Sequence, residues 1–140
     1  MSNDLIESAD AVGMFCRLNM NTKRDLPIRT SEMGVLIFIQ KVDGEVTPTE
    51  ISDFFNISKP SVTAIIKSLI RKKYLTKKQL KADKRSYYVS ITSKGNALVQ
   101  ETFDEYFKLI ELLQSEMTST EFKQLIELIQ KSNKILQERL

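Results

Sequence analysis

The chain has 140 residues, 41% of them hydrophobic and 28% charged, and carries a formal net charge of +3. This balance is typical of one globular domain with a core. The lack of histidine and the single cysteine exclude an internal disulfide and leave no zinc site or Ser-His pair, and no apolar run reaches the roughly 18 residues of a membrane span. We therefore expect one cytoplasmic domain over residues 1–140, without membrane partner, metal, cofactor or enzymatic activity.

The N-terminal segment predicts an amphipathic helix over residues 3–21, with Leu5, Val12 and Cys16 along one side. A loop containing Pro27 follows it. The next helix begins at Thr30 and is apolar nearly all round, which predicts a buried position. Asp43 and Gly44 mark a turn, after which Val46 is expected to add a short strand to a later hairpin.

Two short helices come next. Thr47 to Glu50 has the pattern of a capping box with proline at the first helical position, and an apolar face follows it. Ser58 then has the features of an N-cap for a second helix that runs to about Lys72. Two short helices joined by a tight turn are typical of a helix-turn-helix.

The second of these helices has two different faces. Its apolar stripe follows helical spacing and comprises Val62, Ile65, Ile66, Leu69 and Ile70. Its other face carries basic, hydroxyl-bearing and small side chains, namely Lys59, Ser61, Thr63, Ala64, Lys67, Ser68 and Arg71. Such a face suits contact with phosphates and base edges. Taken alone, the pattern equally fits an ordinary amphipathic helix with a solvated lysine face.

A β-hairpin is predicted to follow. One extended run leads from Tyr74 to Leu80, and another, rich in aromatic and β-branched residues, covers Tyr87 to Ile91. The charged residues 81–85 join them as a basic tip, which can reach the DNA backbone or the minor groove.

Charge is concentrated in this part of the chain. Residues 59–85 hold ten Lys or Arg and one acid, a net charge of +9, whereas the rest holds eleven bases and seventeen acids, a net charge of −6. Such a segregated basic surface indicates a nucleic-acid binder.

From Val46 to Gly95 the chain resembles the winged helix-turn-helix of the MarR family of bacterial transcription regulators. Asp83-Lys84-Arg85 matches the family's wing signature, an Asp and an Arg separated by one residue. Ile91-Thr92-Ser93-Lys94-Gly95 matches the exit from the last strand, and Tyr74-Leu75 matches the exit from the recognition helix. The fold class expected is mostly α with a small β-hairpin wing, having its winged core at about residues 30–92 and dimerisation helices at about 3–21 and 93–140.

The C-terminal third predicts two more amphipathic helices. One begins at Thr92 or Ser93 and extends to about Ser115, and a capping box at Thr118 to Glu121 begins the last. Their apolar surface exceeds what one small winged domain can cover, so we infer a homodimer in which the terminal helices interlock. The alternative is that these helices pack only within one chain.

The function expected is regulation of transcription, most often repression, by a homodimer on a pseudo-palindromic operator of double-stranded DNA. Ser58, Lys59, Ser61, Thr63 and Lys67 are assigned to the major groove, with Thr49 and Pro60 beside them. Arg85 is assigned to the minor groove, and Arg71, Lys81 and Lys84 to phosphates. Asp83 is expected to orient Arg85, although a plain turn aspartate fits equally. The alternatives are an adaptor that binds RNA or RNA polymerase and a scaffold that does not bind DNA.

The resemblance also implies that an effector or a redox signal regulates DNA binding. A small-molecule effector would bind between the dimer helices and the winged domain, where Met14, Phe38 and Phe107 are candidate lining residues. Cys16 is the candidate for redox sensing, because one branch of the family senses organic hydroperoxides through a cysteine in its first helix. Tyrosines near the second helix assist that cysteine, whereas residues 28–40 contain none here. A cysteine on an apolar stripe is more often a buried, inert hydrophobe.

Overall fold

Helices form most of the protein, as the sequence predicted. The structure, a computed structural model, describes residues 2–80 and 86–140. The elements in chain order are α1 (Asn3–Asn21), α2 (Thr30–Val42), α3 (Pro48–Phe55), α4 (Lys59–Arg71), β1 (Leu75–Gln79), β2 (Tyr87–Ile91), α5 (Ser93–Glu116) and α6 (Ser119–Arg139). The mostly helical fold class with a β-hairpin wing is confirmed.

The chain forms two compact units. One consists of residues 24–106 and the other of residues 1–23 with 107–140, so α5 begins in the first unit and ends in the second. The first unit contains the helix-turn-helix and the wing.

The core of residues 24–106 draws on every secondary structure element of this unit. Its fully buried side chains include Met33, Leu36 and Ile39 of α2, Ile51 of α3, and Val62, Ile66 and Leu69 of α4. The burial of α2 confirms the expectation from its nearly continuous apolar sequence.

The wing is a two-stranded antiparallel sheet. Leu75 lies opposite Ile91, and Gln79 lies opposite Tyr87. Val46 joins the sheet through one isolated bridge to Val89, with backbone N–O distances of 2.9 and 2.8 Å, which confirms the short strand predicted there.

The connection from β2 to α5 packs closely against residues 73 and 74, which follow α4. The hydroxyl of Thr92 donates to the carbonyl of Lys73 at 2.8 Å and accepts the N–H of Gly95 at 3.0 Å. A Cβ on Gly95 would lie 2.5 Å from the carbonyl oxygen of Tyr74, closer than any normal contact. Only glycine therefore lets α5 begin this close to the chain that leaves α4.

In the unit formed by residues 1–23 and 107–140, the two terminal helices do not contribute to a buried core. Neither α1 nor α6 has a buried residue, although both carry large apolar side chains. The helix start predicted at Thr118 is confirmed as a full capping box: Thr118 Oγ1 accepts the N–H of Glu121 at 3.1 Å, and Glu121 Oε1 accepts the N–H of Thr118 at 2.9 Å.

Candidate nucleic-acid interface

The helix-turn-helix is set by two N-caps and one left-handed residue. The hydroxyl of Thr47 accepts the N–H of Glu50 at 3.2 Å and begins α3, and that of Ser58 accepts the N–H of Ser61 at 3.3 Å and begins α4. Asn56 adopts a left-handed φ of 52° between the helices, a conformation that asparagine tolerates well. Ser52 Oγ closes the turn by donating to the carbonyl of Ile57 at 2.6 Å.

The α4 helix presents most of the side chains assigned to DNA on its solvent side. Val62, Ile66 and Leu69 are buried beneath it. Ser58, Lys59, Pro60, Ser61, Lys67 and Arg71 are exposed, as is Thr49 at the start of α3. Because this face combines hydroxyls and cations on a rigid helix, it has the chemistry needed for base and phosphate contacts.

Three assigned hydroxyls have partners within the domain. Thr63 is half-buried, and its hydroxyl donates to the carbonyl of Lys59 at 3.0 Å. Ser58 Oγ lies 2.9 Å from Ser61 Oγ, so these two hydroxyls are hydrogen-bonded to each other at the N-terminus of α4.

Ser68 does not lie on the face where the sequence pattern put it. Its hydroxyl donates to Glu32 of α2, and the side chain is half-buried. Its neighbour one turn later, Lys72, forms an ion pair with the same carboxylate at 3.3 Å. The side of α4 that contains Ser68 therefore faces α2 rather than solvent. The buried face of α4 is wider than the apolar stripe, because it also includes the polar Ser68.

The described part of the basic segment, residues 59–80, contains seven Lys or Arg and no acid. Acids from elsewhere in the chain reach two of these lysines: Lys72 pairs with the buried Glu32, and Lys78 lies 3.6 Å from the exposed Glu45. An exposed pair such as Lys78–Glu45 is weak, about 0–1 kcal/mol, so it would not hold the lysine against a nearby phosphate. The surface therefore remains strongly positive.

The wing strands carry further cations. Lys77 lies over the ring of Tyr87, with its Nζ 4.2 Å from the ring centroid. The tip residues Lys81, Asp83, Lys84 and Arg85 lie outside the described residues, so their assigned DNA contacts stay predictions.

Sequence reasoning missed Glu32, whose side chain is buried in the first turn of α2. Burial raises the pKa of this carboxyl. Hydrogen bonds from the Ser68 hydroxyl, the Arg29 N–H and Lys72, together with the positive charge of Lys72, outweigh that effect and hold the pKa below its usual value. The sequence did contain an indication of this role: Glu32 is a lone acid at the start of an apolar helix, and such a side chain needs polar partners if it is buried.

The candidate effector and redox residues are distributed over both units. Phe38 belongs to residues 24–106 and stacks on Phe54 with ring centroids 4.4 Å apart, whereas Met14 and Phe107 belong to the other unit. Cys16 is exposed within the single chain, where we expected a buried cysteine. The effector pocket and the redox role stay predictions.

Across residues 2–80 and 86–140, no His, Cys, Asp and Glu side chains gather into a group that could hold a metal ion. The helices in the same ranges include none with the length and apolarity needed to cross a membrane.

Residues 25–86 match the family model described as MarR family. No curated protein matches the chain in sequence. Among solved structures, the chain is similar to a mutant MarR from E. coli complexed with operator DNA, at 22% identity over 76% of each chain with a TM-score of 0.66. It is also similar to FabT of Streptococcus pneumoniae in complex with DNA, at 21% identity over 96% of this chain and 93% of that chain with a TM-score of 0.64. A MarR transcriptional regulator from Methanosarcina mazei Go1 shares 16% identity over 99% and 100% of the two chains, with a TM-score of 0.75.

Proposed function

We propose that this protein, whose residues 25–86 match the MarR family model, is a sequence-specific regulator of transcription that binds a pseudo-palindromic operator as a homodimer and represses. The observation that carries the proposal is the exposed face of α4. It presents hydroxyls at its N-terminal end and cations along its length, beside a wing strand with further lysines. Both MarR of E. coli and FabT have been solved with DNA, and this supports the same partner here.

In each subunit, some side chains contact bases and others contact the phosphate backbone. Ser58, Lys59, Ser61, Thr63 and Lys67 contact base edges in the major groove. Arg71 contacts phosphates, as Lys81 and Lys84 do from the wing. Arg85 enters the minor groove, where a narrow A·T-rich segment attracts arginine.

The surface chemistry of α1 and α6 supports the proposed homodimer. α1 and α6 expose large apolar side chains in the single chain, among them Leu5 at 73%, Val12 at 63% and Leu128 at 62%. Large exposed apolar patches are rare on monomers. Two recognition helices in one dimer would then read half-sites about one helical turn apart. A small-molecule effector that changes the angle between the two wings would release the DNA.

Salt dependence tests the proposal. Each phosphate neutralised by a cation adds about 0.9 to the slope of log affinity against log salt concentration. For about 6–10 contacts per dimer, affinity falls by roughly 10³–10⁵ between 50 and 200 mM salt. Fluorescence anisotropy with a duplex that the protein selects from random-sequence DNA measures this slope.

A matched pair of variants locates the contact. Arg71→Gln on α4 should reduce the slope by roughly one for each subunit, whereas Lys123→Gln on α6 removes the same charge and should leave the slope unchanged. Both side chains are exposed, so neither variant is expected to disturb the fold. A wild-type slope near zero, or failure of the protein to select any duplex, would contradict the proposed DNA binding.

A further inference from the structure

One charged side chain in the described residues is buried. Glu32, in the first turn of α2, is 2% exposed. A buried carboxylate is costly unless hydrogen bonds and an opposite charge satisfy it. Its partners therefore show what it holds together.

The partners of Glu32 tie the start of α2 to the end of α4. Its Oε1 accepts the backbone N–H of Arg29 at 3.1 Å, which closes the first turn of α2. Its Oε2 accepts the Ser68 hydroxyl and lies 3.3 Å from Lys72 Nζ. Ser68 and Lys72 are four residues apart, so one carboxylate binds two successive turns along one side of the recognition helix. We call these four residues the Glu32 anchor.

The anchor lies at the edge of the face assigned to DNA. Since successive residues of an α-helix are about 100° apart, Ser68 lies about 60° from Arg71 and about 100° from Lys67 around the axis of α4. Rotation of α4 about this axis would therefore move Lys67 and Arg71 relative to the groove. Bonds to Ser68 and Lys72 oppose that rotation.

A pocket that is open to solvent lies beside the anchor. A cavity of about 260 Å³ opens next to Glu32, between Ser31 of α2 and Ala64 and Arg71 of α4. Close apolar contact restrains the buried side of α4 through Val62, Ile66 and Leu69. On the cavity side the hydrogen bonds to Glu32 perform this role.

We propose that Glu32 is a positioning residue for the recognition helix, which fixes the rotation of α4 and so determines how well the protein discriminates its operator from other DNA. The inference rests on the proposed DNA binding. Glu32 does not touch DNA; it acts through Ser68 and Lys72. It also engages the Lys72 ammonium in an ion pair, so this cation contributes less than its neighbours to sequence-independent binding.

The chain offers a matched control for a test. Glu32→Gln and Glu45→Gln each remove one negative charge and each release one lysine, Lys72 or Lys78. Glu45 is exposed and pairs with a wing strand, whereas Glu32 is buried against α4. Because both variants change the net charge equally, a difference between their DNA affinities depends on where the carboxylate lies and not on the charge removed.

The measurement is the ratio of affinities for two duplexes at fixed salt: one selected by the wild-type protein from random-sequence DNA, and one of scrambled sequence. Glu32→Gln should lower this ratio about tenfold, comparable to the loss of one good base contact. Glu45→Gln should change it less than about twofold. Both variants should bind the scrambled duplex slightly more tightly, because each loses one negative charge close to the basic segment.

This ratio separates positioning from stability. If Glu32→Gln only unfolds part of the protein, affinity for both duplexes falls by the same factor and the ratio does not change. Circular dichroism checks the fold. If Glu32→Gln does not fold, Ser68→Ala removes a single bond of the anchor and should lower the ratio in the same direction by a smaller factor.

Equal ratios for wild type, Glu32→Gln and Ser68→Ala would overturn the inference while leaving the proposed function intact. So would a decrease of the same size in Glu45→Gln. Failure of the wild-type protein to select any duplex would instead contradict the proposed function.

Discussion

The two compact units contain similar amounts of amphipathic helix but bury it differently. Among the described residues, all fourteen buried hydrophobic side chains lie in the range from Ile28 to Val99, inside the unit of residues 24–106. α1 and α6, in the other unit, bury none. The first unit thus has a core of its own, whereas the apolar sides of α1 and α6 still need a covering surface, for which a second copy of the chain is the proposed source.

Removing one terminal helix tests this comparison most severely. Deletion of residues 122–140 should leave a protein that is monomeric or insoluble and that has lost operator binding, because the proposed operator needs two linked recognition helices. Light scattering after size exclusion gives the mass, and anisotropy gives the DNA affinity. A soluble dimer that still binds its operator would place the interface elsewhere.

A pair of leucine truncations sharpens the comparison. Leu69→Ala removes a side chain that is 0% exposed in the core, and it should lower the free energy of unfolding by about 2–5 kcal/mol at any protein concentration. Leu128→Ala alters a side chain that is 62% exposed in the single chain. It should raise the dimer dissociation constant about tenfold, or ~1.4 kcal/mol.

Thermal melts at two protein concentrations separate these effects, since only a loss of association depends on concentration. A melting temperature of Leu128→Ala equal to that of wild type at every concentration would show that α6 does not lie in the interface.

A smaller effect is expected at the start of α6. Thr118→Ala removes the N-cap hydroxyl that accepts the Glu121 N–H, which should cost about 1 kcal/mol of stability. Thr120→Ala is the control, because it changes an exposed threonine two residues further along the same turn. Urea unfolding measures both. Equal midpoints for the two variants would mean that the capping box adds nothing to the stability of this unit.

The smallest effect is expected at Cys16. Cys16→Ser should repress normally, and organic peroxide should release wild type and variant from DNA equally poorly. A reactive cysteine requires a stabilised thiolate, and residues 28–40 lack the tyrosines that the hydroperoxide-sensing branch of the family uses. Release of the wild-type protein alone by stoichiometric peroxide would identify Cys16 as a sensor.

Local chemistry explains how much of this fold was predictable. The bounds of α1 agree with the predicted residues 3–21, and Ser58 and Thr118 begin helices where their capping patterns indicated. Helical periodicity separated the buried Val62, Ile66 and Leu69 from the exposed Lys67 and Arg71. These features depend on residues within one or two turns of one another, so the sequence contains the information directly.

The sequence by itself therefore determined the order of elements, the helix starts and the concentration of positive charge in residues 59–85. Only the tertiary structure decided which residues meet across long separations. Glu32 reaches Ser68 and Lys72 over 36 and 40 positions, and Gly95 lies against the carbonyl of Tyr74 where no Cβ would fit. Such contacts depend on how whole helices pack, because a side chain that looks solvated within its own helix is buried once a neighbouring helix covers it.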